Sequence, residues 1–222
     1  MIPNPSITAW SVYRPWPNRA AIEQDLLLAR LIVEIYNHPR LSQELVFRGG
    51  TCLHQVHLRI PLRYSEDLDF VRRTHSGIGP VFDDLRQVAN QVGLEVKGTD
   101  VGQHPKLRLR ASSEQDASIY LRIKVEINTY ETSPARGLIR APFEVRSAWF
   151  MGAAEVLTFA PAELVSTKLR ALFQRTKGRD LFDLWLALTT LQLDPAEIHS
   201  AEPVAPRTIS STMGNCADPW IA

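Results

Sequence analysis

The sequence is short of cysteine: its 222 residues hold two, Cys52 and Cys216. That is too few for the disulfide framework of a small secreted domain. His54 and His57 lie too close to Cys52 to form a zinc finger with it. Long apolar runs are missing, so no segment reads as a membrane span. Met1 to Arg19 is rich in proline and tryptophan and lacks the apolar centre of a signal peptide. These absences point to a reducing, cytoplasmic setting without a membrane partner. An excess of one charge is also lacking. Lysine plus arginine number 25 against 24 aspartates and glutamates, a net charge of +1, so any surface for a polyanion has to be local. With 45% hydrophobic and 22% charged residues, the chain has the balance of a globular protein of one large or two small domains.

What is present has clear periodicity. Ala20 to Tyr36 places Ile22, Leu26, Leu27, Leu31 and Ile35 on one broad face, which predicts a helix closed by Asn37-His38-Pro39. Val46-Phe47 leads into Gly49-Gly50-Thr51, and the residues after the glycines fit a short helix. Arg63 to Val71 turns in its second half into the alternation of a strand, and Pro80 to Val92 reads as a helix. Strands are expected at 94–96, 106–111, 119–128, 143–149 and 155–158, the third being the clearest, with Leu121, Ile123, Val125 and Ile127 on one face. Pro161 suits the first position of a helix reaching about Gln174, and 179–191 reads as another. The fold class is α+β: a mixed sheet flanked by helices over 1–158, then a helical lobe over 159–222 that ends, from about Ser200, in a loosely ordered tail.

Asp67 and Asp69 are two apart on a predicted strand, so their carboxylates share a face, while Leu68 and Phe70 point into the core. Adjacent carboxylates repel unless a cation lies between them. Magnesium takes oxygen ligands, commonly one or two carboxylates completed by substrate phosphates. The upstream Gly49-Gly50-Thr51 turn allows close backbone approach, and a helix opened by Thr51 would aim free N–H groups at an anion. No lysine follows in Walker spacing. Glu126, whose strand face it shares with Lys124, is a third acid: either the wet side of an amphipathic strand or a partner of the Asp67–Asp69 pair.

These residues resemble the polymerase-β-like nucleotidyltransferase superfamily, and within it the AbiEii/MenT-like toxins. The resemblance runs over about residues 45–190 and is carried by Phe47-Arg48-Gly49-Gly50-Thr51-Cys52-Leu53, by Arg63 through Phe70, by Lys124 through Asn128, and by Lys168 through Asp183. It implies that Asp67, Asp69 and Glu126 hold magnesium (manganese being the alternative). It further implies that Gly49, Gly50, Thr51 and Ser65 receive the nucleotide, that Lys168 neutralises phosphate, and that Asp180 or, by preference, Asp183 completes the pocket. The implied activity is transfer of a nucleoside monophosphate, often cytidylate, from a nucleoside triphosphate to the 3′ acceptor end of tRNA. This blocks translation and growth, and a cognate antitoxin protein restrains it. The C-terminal end departs from the pattern, without the further helices the family carries.

Other readings stand beside this one. The acceptor could be a small hydroxylated molecule or a protein side chain, or the chain could be a non-catalytic partner-binding module; the intact carboxylates speak against the last. Lys168, Arg170, Arg175, Lys177 and Arg179 give the lobe a local basic excess that is either a phosphate-binding patch or a solvated helix face. Arg108, Arg110, Arg122, Arg136 and Arg140 are candidates for an RNA track, or scattered surface charges. Trp10, Trp16, Trp149 and Trp185 read as packing residues. Phosphorylation of Ser65 would bring about −1.5 to −2 charge beside the two aspartates and disfavour nucleotide binding.

Overall fold

The computed structural model describes residues 2–58, 62–102, 104–130 and 134–201. The expected tail and Cys216 lie almost wholly or wholly outside the described residues. A seven-stranded mixed sheet forms the centre, in the order β3-β4-β5-β2-β1-β7-β6. Its strands are β1 (Leu45–Arg48), β2 (Asp67–Arg72), β3 (Glu95–Asp100), β4 (Lys106–Ser112), β5 (Tyr120–Asn128), β6 (Leu138–Arg146) and β7 (Met151–Phe159). β2 runs parallel to β5 and β1 parallel to β7, and the other neighbours are antiparallel.

The helices are α1 (Asn4–Trp10), α2 (Arg19–Asn37), α3 (Leu41–Glu44), α4 (Gly49–Cys52), α5 (Gly79–Val92), α6 (Pro161–Arg175), α7 (Gly178–Thr190) and α8 (Pro195–Ser200). α2 starts at an Asn18 cap, whose side chain accepts the Ala21 N–H at 2.8 Å. Its apolar residues pack with α5 and with Leu68, Phe70, Val125 and Ile127 from one face of the sheet in a single core. The apolar periodicity of α2, the alternation of β5 and the Pro161 start of α6 all appear where the pattern placed them.

β6 begins earlier than the expected strand at 143–149 and passes through Pro142. It is an edge strand, where a residue without an N–H is tolerated. α1 has no helical signal in the sequence and is held by tertiary contacts. Trp10 donates to Asp25 at 2.8 Å, and Gln55 donates to the same carboxylate at 2.7 Å. Trp10 and Trp16 are buried, as packing residues should be, whereas Trp185 is 55% exposed.

The polar residues of α2 position the site strands. Gln24 donates to the Arg122 carbonyl at 2.8 Å and accepts the Arg122 N–H at 3.1 Å, gripping β5. The same amide donates to Glu66 at 3.0 Å, fixing the approach to β2. α4 continues as one wide helical turn, Leu53–His57. This segment joins two cores: Cys52 belongs to the sheet core, while Leu53 packs with Ala162, Val165, Leu184 and Ile198 of the lobe. The glycine turn therefore sits where sheet and lobe meet.

Candidate active site

Asp69 stands in register with Arg48 on β1 and with Glu126 on β5, and Glu126 with Lys106 on β4. Paired residues on neighbouring strands project to the same side, so four strands bring two carboxylates and two cations to one face. Asp67 pairs with Lys124 one step along. The face lines a cleft of about 600 Å³, whose other wall is α6 through Thr167, Lys168, Arg170, Ala171, Gln174 and Arg175. Those positions fall three or four apart, one face of a helix.

Burial, Glu126 and Asp67 together push the Asp69 carboxyl above its ordinary pKa, against Arg48 and Lys168, which lower it. Loss of solvent is the largest of these causes, and the two neighbouring carboxylates add to it. Glu126 behaves oppositely. Burial would raise it, but Lys124 at 3.1 Å and Lys106 at 3.3 Å hold it lower. Lys124 also reaches Asp67 at 3.2 Å, so its ammonium bridges two acids.

Among the described residues no three His, Cys, Asp or Glu side chains already form a metal cage. The donor chemistry nevertheless fits magnesium: hard carboxylate oxygens on one face, with room in the cleft for phosphates to complete the coordination.

Gly49 lines the cleft with φ +81°, and a Cβ there would clash with Oδ2 of Asp69. Gly49 opens α4, so the helix begins two residues ahead of Thr51. Gly50 faces the other way: a Cβ would crowd Arg63 and meet Asp183 Oδ2 and Lys168 Nζ at 3.5 Å each. Thr51 is buried, bonded to the Ser65 hydroxyl at 2.8 Å and to the Asp67 carbonyl. The Thr51–Ser65 pair thus braces the start of β2 from behind rather than lining the cleft.

Asp180 and Asp183 are fully buried on α7. Asp183 accepts from His54 at 2.9 Å and from Arg63 at 2.8 and 3.0 Å, and meets Lys168 at 2.9 Å. Burial would raise its pKa, but these partners hold it well below the carboxylate range. Asp180 takes both Arg175 bonds, at 2.8 and 2.9 Å, and meets Lys168 at 3.4 Å. Both aspartates therefore act on the cleft by aiming Lys168 and Arg175.

Of the residues singled out from sequence, Gly49, Asp69, Glu126 and Lys168 line one cleft, Asp67 shares their strand face and is linked to Glu126 through Lys124, and Gly50, Thr51, Ser65, Asp180 and Asp183 support it from behind. The sequence reading missed His104, Lys106 and Asn128 and gave Arg48 no role of its own. Only strand order reveals them, although the 3–4 spacing from Thr167 to Arg175 was available.

The family model described as nucleotidyl transferase AbiEii toxin, type IV toxin–antitoxin system, matches residues 30–205. No curated protein sequence matches the chain. Among solved structures, MenT4, a nucleotidyltransferase toxin of Mycobacterium tuberculosis, is similar at 24% identity and TM-score 0.57, over 80% of this chain and 62% of its own. JHP933 of Helicobacter pylori is similar at 19% identity and TM-score 0.51, over 75% of this chain and 65% of its own. These likenesses show the fold, and the chain spans less than two thirds of either protein's length.

Proposed function

The chain belongs to the AbiEii family of nucleotidyltransferase toxins, and from that premise we propose that it transfers a nucleoside monophosphate from a nucleoside triphosphate to the 3′ end of an RNA, with tRNA as the acceptor. The observation that carries this reading is the direct register of Asp69 and Glu126 beneath a cationic wall in one cleft. A triphosphate entering there meets Lys168 and Arg175, each pre-aimed by buried aspartates. Cations fixed in advance stabilise phosphate charge without reorganising during the reaction.

Asp67 and Asp69 would hold magnesium, which when bound neutralises phosphate oxygens and orients them. Glu126, kept ionised by two lysines, receives the hydrogen of the acceptor hydroxyl. That hydroxyl oxygen bonds to the α-phosphorus as the bond from the α-phosphorus to the pyrophosphate oxygen breaks. Gly49 lets the chain turn hard against Asp69 and leaves the cleft floor open. A cognate antitoxin is the expected protein partner, as for other members of a toxin–antitoxin family. Cytidylate is the nucleotide first to test.

The test is incubation with each α-labelled triphosphate and magnesium in the presence of bulk tRNA, total protein or hydroxylated small molecules. Label on tRNA is expected. Label on protein or on a small molecule alone moves the acceptor to another class, and binding of triphosphate without turnover returns the chain to a binding module.

A further inference from the structure

Three of the five arginines singled out from the sequence come together on one exposed face, and two do not. Arg136 is engaged with Glu197 at 3.2 Å and Ser200 at 2.6 Å, and Arg140 lies on the far edge strand, bonded to backbone carbonyls. Arg108, Arg110 and Arg122 instead line a second groove of about 620 Å³, with Lys97, Lys124 and the carboxylates of Glu66 and Asp67. The groove shares Asp67 with the site already described and runs up the open side of β3, β4 and β5.

The register makes this surface unusual. Arg108 is directly opposite Lys124, and Arg110 directly opposite Arg122. Like charges directly across a sheet are destabilising. Glu95 answers Arg110, at 3.7 Å, and Lys124 turns toward Asp67 and Glu126. Arg108 and Arg122 are exposed and make no ion pair among the described residues. Beside them Tyr120 is 42% exposed, with the Arg110 guanidinium 4.1 Å from its ring centroid. Cations in file with an exposed aromatic ring fit a phosphate backbone and a stacked base.

We infer that this face of β4 and β5 is the docking track for the 3′-terminal single strand of an RNA, with Arg108 and Arg122 on its phosphates and Tyr120 against a base. The inference rests on the proposed transfer to RNA and assigns where that RNA lies. Arg122 and Glu126 share a strand face four residues apart, about 13 Å at the usual strand rise. A strand of RNA held on Arg122 therefore reaches Glu126 within a few nucleotides. That continuity, more than positive charge alone, favours RNA over an acidic protein.

The test is fluorescence anisotropy of a labelled single-stranded RNA of about a dozen nucleotides with the full chain, without triphosphate, across roughly 50–200 mM salt. Arg108→Ala/Arg110→Ala/Arg122→Ala is expected to raise Kd at least about tenfold at low salt. It should also flatten the slope of log affinity against log salt by about 1.4, at ~0.7 for each of the two lost phosphate contacts on a single strand. Arg108→Ala/Arg122→Ala, which leaves the Arg110–Tyr120 contact in place, should show the same flattening and part of the loss of affinity. Arg136→Ala/Arg140→Ala should show neither. Wild-type affinity and slope in the triple and double variants overturn the inference, as does competition by polyglutamate that equals competition by unlabelled RNA.

Transfer kinetics separate the two layers. A raised KM for RNA with unchanged KM for triphosphate in the triple variant supports the track. Unchanged KM for RNA overturns it while leaving the transfer activity intact. RNA binding through these arginines by a wild-type protein that transfers nothing leaves the track standing and removes the activity.

Discussion

Gly49 has no side chain where Asp69 has its carboxylate: a Cβ on Gly49 would clash with Oδ2 of Asp69, and the backbone there has φ +81°. The contact links the turn before α4 to the acid that burial and two neighbouring carboxylates keep above its ordinary pKa. The glycine is thus required twice, for a conformation other residues rarely adopt and for the space the acid needs.

Gly49→Ala is therefore expected to cost about 1–3 kcal/mol of stability and most of the nucleotidyl transfer. Thermal unfolding and initial rates check this. In an Asp69→Ala background, which removes the carboxylate and keeps the Cβ, the steric part of the stability cost should shrink, so the two changes should be non-additive. Additive costs would mean that the two residues do not contend for one space.

Asp183 carries a pH signature. Its carboxyl is held below the ordinary value of 3.8 by His54, Arg63 and Lys168, against burial, so its pairing contributes stability in full above about pH 4. That contribution is lost as pH falls below 3.8 toward the lower folded value. Asp183→Asn should cost about 3–5 kcal/mol near neutrality, because it strands buried cations, and the gap from wild type should shrink below about pH 4. Melting curves from pH 3 to 7 read it out. A gap independent of pH would contradict the ion-pair account.

How much of this was legible beforehand depended on whether a signal was local. β5 declared itself because one of its faces is buried, so Leu121, Ile123, Val125 and Ile127 alternate with polar residues. Asp67 and Asp69 declared themselves because a strand puts positions two apart on one side. Arg48, His104 and Lys106 stayed hidden because their place in the cleft depends on the order β4-β5-β2-β1, which joins residues far apart in the chain. Asp183 was assigned to the pocket through the resemblance, but not as a buried anchor, since His54 and Arg63 reach it from more than a hundred positions away. α1 rests on Asp25, and Pro142 is tolerated because β6 is an edge; neither fact is written in its own segment.

Lys168→Met should raise the Kd for triphosphate by roughly one to two orders of magnitude, the equivalent of one charged hydrogen bond at about 1.5–3 kcal/mol. Asp180→Ala should reproduce part of the loss by releasing Lys168 and Arg175. Calorimetric titration with a non-hydrolysable triphosphate measures both. Wild-type affinity in Lys168→Met would remove that lysine from the phosphate wall.

Chelation of divalent cations should abolish transfer, and magnesium should restore it, while secondary structure by circular dichroism stays unchanged, because the carboxylate face is already braced by Lys124 and Lys106. Loss of fold on chelation would point to a structural ion instead.

The most direct measurement incubates wild type and Asp69→Asn with labelled cytidine triphosphate, or whichever triphosphate proves active, and bulk tRNA, and then sequences the RNA 3′ ends. The account predicts added nucleotides at the acceptor terminus with wild type and at least a hundredfold fewer with Asp69→Asn, a loss of about 2.7 kcal/mol or more in transition-state stabilisation. Equal extension by the two proteins would contradict it.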